Sequence, residues 1–125
     1  MTYLQKMFAM VGKPDAAVAA DAVMRIETAL AKAQLSRVEL RDPYKTYNKY
    51  SVKDFTAMTP GLNWGMLLPA MKINGADSLL VGNPSFLKTA DILLSAVSVN
   101  DWKTYLQWSI IKSAAPYLSS PFVNQ

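Results

Sequence analysis

The chain has 125 residues, of which 51% are hydrophobic and 18% charged, with 13 Lys and Arg against 9 Asp and Glu for a formal net charge of +4. That length and balance suit one ordinary globular domain, able to bury about two-thirds of its unfolded surface. The sequence holds no histidine and no cysteine, which excludes a disulfide framework, thiolate chemistry and an H-E-x-x-H zinc site with its two imidazoles one helical turn apart.

Tyr3, Leu4, Met7, Phe8 and Val11 recur at helical spacing and predict a short amphipathic helix closed by Gly12. Pro14 restarts the chain. From Asp15 to about Leu35, the residues Ala19, Ala22, Val23, Ile26, Leu30 and Ala33 form one stripe of an alanine-rich helix. Ser36 followed by Glu39 fits a capping box for a further turn through Val38 and Leu40. Pro43 bars a regular helix there, so a bend is expected from Arg41 to Tyr44.

Ser51 with Asp54 opens a short helix carrying Val52, Phe55 and Met58, which stops before Pro60. Asn63 caps a further candidate with Trp64, Leu67, Leu68 and Met71, kept short or kinked by Pro69. Ser78 to Val81 reads as extended, between Asn74-Gly75 and Gly82-Asn83-Pro84. One strand makes no sheet, so it is expected to pair outside this segment or to lie isolated against helices. After Pro84, the residues Phe86, Leu87, Ala90, Leu93, Leu94 and Val97 give another amphipathic helix. Ser98 and Asp101 then frame a capping box for a last helix with Trp102, Tyr105, Leu106 and Ile110, running toward Ala115 and ended by Pro116 and Pro121. The expected fold is all-α, a single multi-helix array of about six helices with one short extended segment near 78–81.

The cations do not form a stripe: Glu27, Glu39 and Asp42 are interspersed with Lys32, Arg37 and Arg41, which argues against specific nucleic-acid binding. No apolar run approaches the ~18 to 20 residues of a membrane span, and Met1 to Gly12 lacks the pattern of a signal peptide. The segment therefore reads as soluble and without membrane contact. Its carboxylates are scattered singly, and neither a G-x-S-x-G elbow nor a Gly-rich phosphate loop occurs, so no catalytic residue is assigned. Trp102, Tyr105 and Trp108 drift around their helix and read as core packing rather than as a stacking platform.

The densest polar and aromatic stretch is Ser36 to Ser51, SRVELRDPYKTYNKYS, with Arg37, Arg41, Asp42, Tyr47 and Asn48 as the candidate constellation. Two readings stay open. In the structural one, a guanidinium satisfies helix-end carbonyls or pairs with Asp42, while Asn48 side-chain bonds hold the bend after Pro43. In the functional one, the arginines face a cavity and attract a peptide carboxylate through bidentate hydrogen bonds.

The order R-D-P-x-x-x-Y-N at Arg41 to Asn48, V-x-x-P-x-F at Val81 to Phe86, and W-x-x-Y-L-x-W at Trp102 to Trp108 resembles the helical, non-catalytic region of the neprilysin and endothelin-converting-enzyme family of zinc metallopeptidases. A helix with Glu27-Thr28-Ala29-Leu30-Ala31 ahead of the first motif, and Pro60 with Asn63-Trp64 after it, extend the likeness over almost the whole chain. The resemblance implies a helical lobe that covers an active-site cavity and admits only short peptides. It also implies a parent enzyme with one catalytic zinc, oligopeptide substrates and a separate zinc-bearing lobe as this segment's partner. The family's zinc ligands and general base match nothing here, so no metal or cofactor is expected in this segment. The lack of cysteine is closer to bacterial members than to the disulfide-bonded animal ones. The alternative class is a stand-alone helical interaction domain that presents an apolar groove to a protein partner.

Overall fold

Capping side chains and helix-opening prolines set most of the element boundaries. The computed structural model describes residues 2–123, and among them it contains eight α-helices and two short strands. The helices are α1 (Tyr3–Met10), α2 (Ala16–Ala33), α3 (Pro43–Thr46), α4 (Val52–Met58), α5 (Trp64–Ala70), α6 (Pro84–Ala96), α7 (Val99–Ala114) and α8 (Ser120–Val123). The strands are β1 (Lys49–Ser51) and β2 (Ser78–Leu80), and 3-10 turns cover Glu39–Arg41 and Ala115–Tyr117. The all-α expectation holds. Helices α3 and α8 were not expected. Pro43 is the first residue of α3, where its missing N–H costs nothing and its fixed φ suits a helix start, so it opens a helical turn instead of only barring one.

The chain divides into two compact units, one made of the residues through Thr28 together with those from Val97 onward, the other of Ala29–Ala96. In the first, Thr2 caps α1: its hydroxyl accepts from Gln5 N–H at 3.4 Å, while its own N–H donates to Gln5 Oε1 at 2.9 Å. Met7 and Phe8 of α1 and Val23 of α2 are fully buried and cluster with the buried Trp108 of α7. Trp108 meets Phe8 at 6.0 Å between centroids and Tyr3 edge-on at 5.9 Å, so it packs in a core as its sequence context suggests. Ala19 and Ala22 are buried, and the small side chains of α2 allow close approach there. Arg25 reaches across to Asp101 at 3.3 Å.

The second unit carries the correction. The extended segment at 78–81 has its partner inside this chain: β2 pairs antiparallel with β1, in the register Lys49 with Leu80, Tyr50 with Leu79 and Ser51 with Ser78. β1 escapes a sequence reading because it is three residues long, polar at both ends, and passes directly into α4 through the cap residue Ser51. Ser51 accepts from Asp54 N–H at 3.0 Å, and Asn63 likewise caps α5 by accepting from Met66 N–H at 3.2 Å. Pro69 lies in the last turn of α5, which ends one residue later.

Candidate functional site

The stretch from Ser36 to Asn48 is built from local hydrogen bonds before any long-range contact is made. Ser36 and Glu39 bond reciprocally: Glu39 N–H donates to Ser36 Oγ at 3.2 Å, and Ser36 N–H and Oγ donate to Glu39 Oε2 at 3.0 and 2.8 Å. This box precedes the 3-10 turn Glu39–Arg41, whose own N-cap, Val38, has no side-chain cap bond. Asp42 then caps α3, accepting from Tyr44 N–H at 2.9 Å. Lys45 returns to Glu39 with an ion pair of 2.9 Å. Hydrogen bonding from Lys45, then from Ser36, holds the Glu39 carboxyl well below the usual carboxylate range, at about 2, and Glu39 in turn raises Lys45.

Asn48 closes the bend. Its Nδ2 donates to Lys45 O at 2.8 Å and to Val81 O at 3.1 Å, while Val81 N–H donates to Asn48 O at 2.9 Å. One asparagine thus holds both backbone groups of Val81 and ties the motif to the strand pair. Asn48 bonds within the bend and Asp42 caps α3. Arg37, Arg41 and Tyr47 are exposed, and among the described residues their side chains make no hydrogen bond or ion pair. The expected pairing of a guanidinium with Asp42 does not form; the Asp42 carboxylate accepts from Tyr44 N–H in α3 instead.

Beside the ladder lies an apolar cavity of about 360 Å3, lined by Phe55, Trp64, Leu68, Ile73, Phe86 and Leu87 together with residues 79–83. Neither Arg37 nor Arg41 lines it. Phe55 and Trp64 meet at 4.5 Å, and Trp64 Nε1 donates at 2.7 Å to Thr59 Oγ1, which is fully buried and itself donates to Phe55 O at 3.4 Å. Asn83 caps α6, accepting from Phe86 N–H at 3.1 Å. Elsewhere in this unit, Asp91 is only 8% exposed and its Oδ1 has no hydrogen-bond partner among the described residues. A Cβ added at Gly61 would stand 2.8 Å from that oxygen. None of the residues that line this cavity was placed in it from the sequence, although the interaction-domain reading expects an apolar groove. Asp91 had a signal in the sequence, since it sits four residues after Leu87 and three before Leu94, a polar residue within an apolar stripe.

This chain is similar to known proteins over most of its length. The family model described as Peptidase family M13 matches residues 1–125. The chain belongs to peptidase family M13. Curated relatives include endothelin-converting enzyme 1 of Rattus norvegicus, 22% identical over 80% of this chain. Neutral endopeptidase of Lactobacillus helveticus is 27% identical over 90% of this chain. The chain spans 14% and 17% of the lengths of these two relatives. Among solved structures, the zinc metalloprotease Zmp1 of Mycobacterium tuberculosis in its open state aligns with TM-score 0.80 at 29% identity, over 97% of this chain and 20% of that one. Zmp1 in complex with an inhibitor aligns with TM-score 0.81 at 28% identity. This M13 segment therefore shares its fold with part of a much longer peptidase.

Proposed function

We propose that the chain is a non-catalytic helical segment of a longer zinc metallopeptidase, which walls the active-site cavity and limits access to short peptides. The observation that carries this reading is the family match over residues 1–125, joined to structural neighbours of which the chain covers only a fifth. A zinc site takes histidine, thiolate or carboxylate ligands in a tetrahedral set. The sequence has no histidine or cysteine, and no group of three candidate ligands is gathered among the described residues, so the residues present do not fit the metal. Zinc and its ligands belong to the remainder of the parent. In this reading the segment contributes a shaped, rigid wall held by caps and by the Asn48 tie.

Hydrolysis of a series of peptides of graded length tests the proposal, using both the parent polypeptide and the 125-residue chain. The parent is expected to cleave short peptides in a chelator-sensitive way, with rates falling steeply as substrates lengthen, and the 125-residue chain to cleave none. A parent that degrades unfolded proteins as readily as short peptides would remove the gating role. A parent without metal-dependent hydrolysis would remove the peptidase reading altogether.

A further inference from the structure

The strand pair is unfinished on one side. In an antiparallel ladder, hydrogen-bonded and non-hydrogen-bonded pairs alternate. Val81 N–H bonds to Asn48 O and Val52 N–H to Asp77 O, so in the observed register Leu79 faces Tyr50 through hydrogen bonds, and the peptide groups of Ser78 and Leu80 point away from β1. Among the described residues nothing bonds to those outward groups. Leu80 is 62% exposed. The two edges differ in kind. The outer edge of β1 carries Lys49 and the cap residue Ser51, the sort of charge that blunts an edge, whereas the outer edge of β2 carries Ser78 and Leu80 with no charge.

The apolar cavity lies along that same strand. It touches Leu79 and Leu80 of β2 and continues past the strand along Val81, Gly82 and Asn83. Phe55, Trp64 and Phe86 also line it. An unpaired backbone edge beside an apolar pocket is the arrangement by which an added strand gains backbone hydrogen bonds and places a side chain.

We infer that the free edge of β2 receives a third strand, an extended apolar segment of the parent polypeptide lying outside residues 1–125, with one side chain seated in the cavity. This rests on the reading of the chain as part of a longer M13 protein. The Zmp1 alignment leaves about four-fifths of that chain outside the matched part. A covalently tethered segment meets the edge at an effective concentration in the mM range, which favours it over a free peptide.

Native-state hydrogen exchange on the full parent polypeptide tests the inference. The amides of Ser78 and Leu80 should exchange at least ~100-fold more slowly than in an unstructured chain, as protected as the Val81 amide that already bonds to Asn48. Leu80→Pro removes the outward donor and leaves the β1 ladder intact, so it should abolish protection at Ser78 and lower the parent's Tm, whereas Leu80→Val should keep both. Free exchange at Ser78 and Leu80 with Val81 protected would overturn the inference, as would protection that survives Leu80→Pro. Protection that appears only with added oligopeptide or only at raised protein concentration would also overturn it, assigning the edge to a ligand or to a second copy. Failure of the peptidase reading shows instead as absence of metal-dependent hydrolysis, a separate readout.

Discussion

Single side chains in the second unit set two measurable properties. Glu39 has a folded-state pKa lowered from 4.5 to about 2, chiefly by Lys45. A lowered carboxylate pKa contributes stability above the unfolded value, and that contribution is lost as pH falls through the folded one. The chain is therefore expected to lose stability between pH 4.5 and about 2 more steeply than Glu39→Gln, as read by thermal melts across that window at low salt. Parallel curves for the two proteins would show that the pair is not formed in solution. Because both partners are exposed, added salt should shrink the difference. Thr59 gives a second case. Replacing it with Val keeps its shape but leaves the Trp64 N–H, now bonded at 2.7 Å, without an acceptor. The expected cost is about 1–3 kcal/mol by chemical denaturation, and a loss below that range would mean that water reaches the indole.

The helices end in two copies of one device that differ in a single residue. After α1, Gly12 at φ 75° donates to Ala9 O at 3.0 Å and Lys13 to Phe8 O at 3.0 Å. After α5, Lys72 at φ 61° donates to Pro69 O at 2.9 Å and Ile73 to Leu68 O at 2.9 Å. Both are Schellman closures, which want a residue without a Cβ at the left-handed position. Opposite responses are expected: Gly12→Ala destabilises by roughly 1–2 kcal/mol, and Lys72→Gly stabilises by up to about 1 kcal/mol, since glycine relieves the strain but raises the entropy of the unfolded chain. Equal signs in urea denaturation would contradict the assignment of these ends. Gly12 was legible in the sequence because a glycine after an apolar period is a local stop signal. Lys72 was not, since no residue type announces it.

The same division between local and distant information runs through the whole chain. Ser51, Asn63 and Ser98 act as caps on N–H groups three residues ahead of them, so their roles could be read directly. The partner of 78–81 could not, because Asn48 and Val81 are 33 residues apart and β1 has no apolar alternation of its own. The constellation from Arg37 to Asn48 was half legible: Asp42 and Asn48 fix the local path, whereas the arginines are exposed and unpaired among the described residues. Large apolar side chains are also left in solvent, with Tyr44 92%, Tyr117 88% and Val38 79% exposed. The 125-residue chain is expected to enhance the fluorescence of a hydrophobic dye in its native state, and the parent much less so per mole. An isolated chain that binds no dye would favour the self-contained interaction domain over the lobe of a larger enzyme.

The Asn48 tie also sets a schedule for synthesis. A ribosome adds roughly 5–20 residues per second, so Asn48 leaves it about 2 to 7 s before Val81, 33 residues behind, is available. During that interval the bend from Ser36 to Thr46 can form on its own bonds, whereas β1 waits with both edges open while α4 and α5 emerge. Lys49 on one of those edges is then a safeguard for the nascent chain, keeping β1 from pairing with a neighbour before β2 arrives.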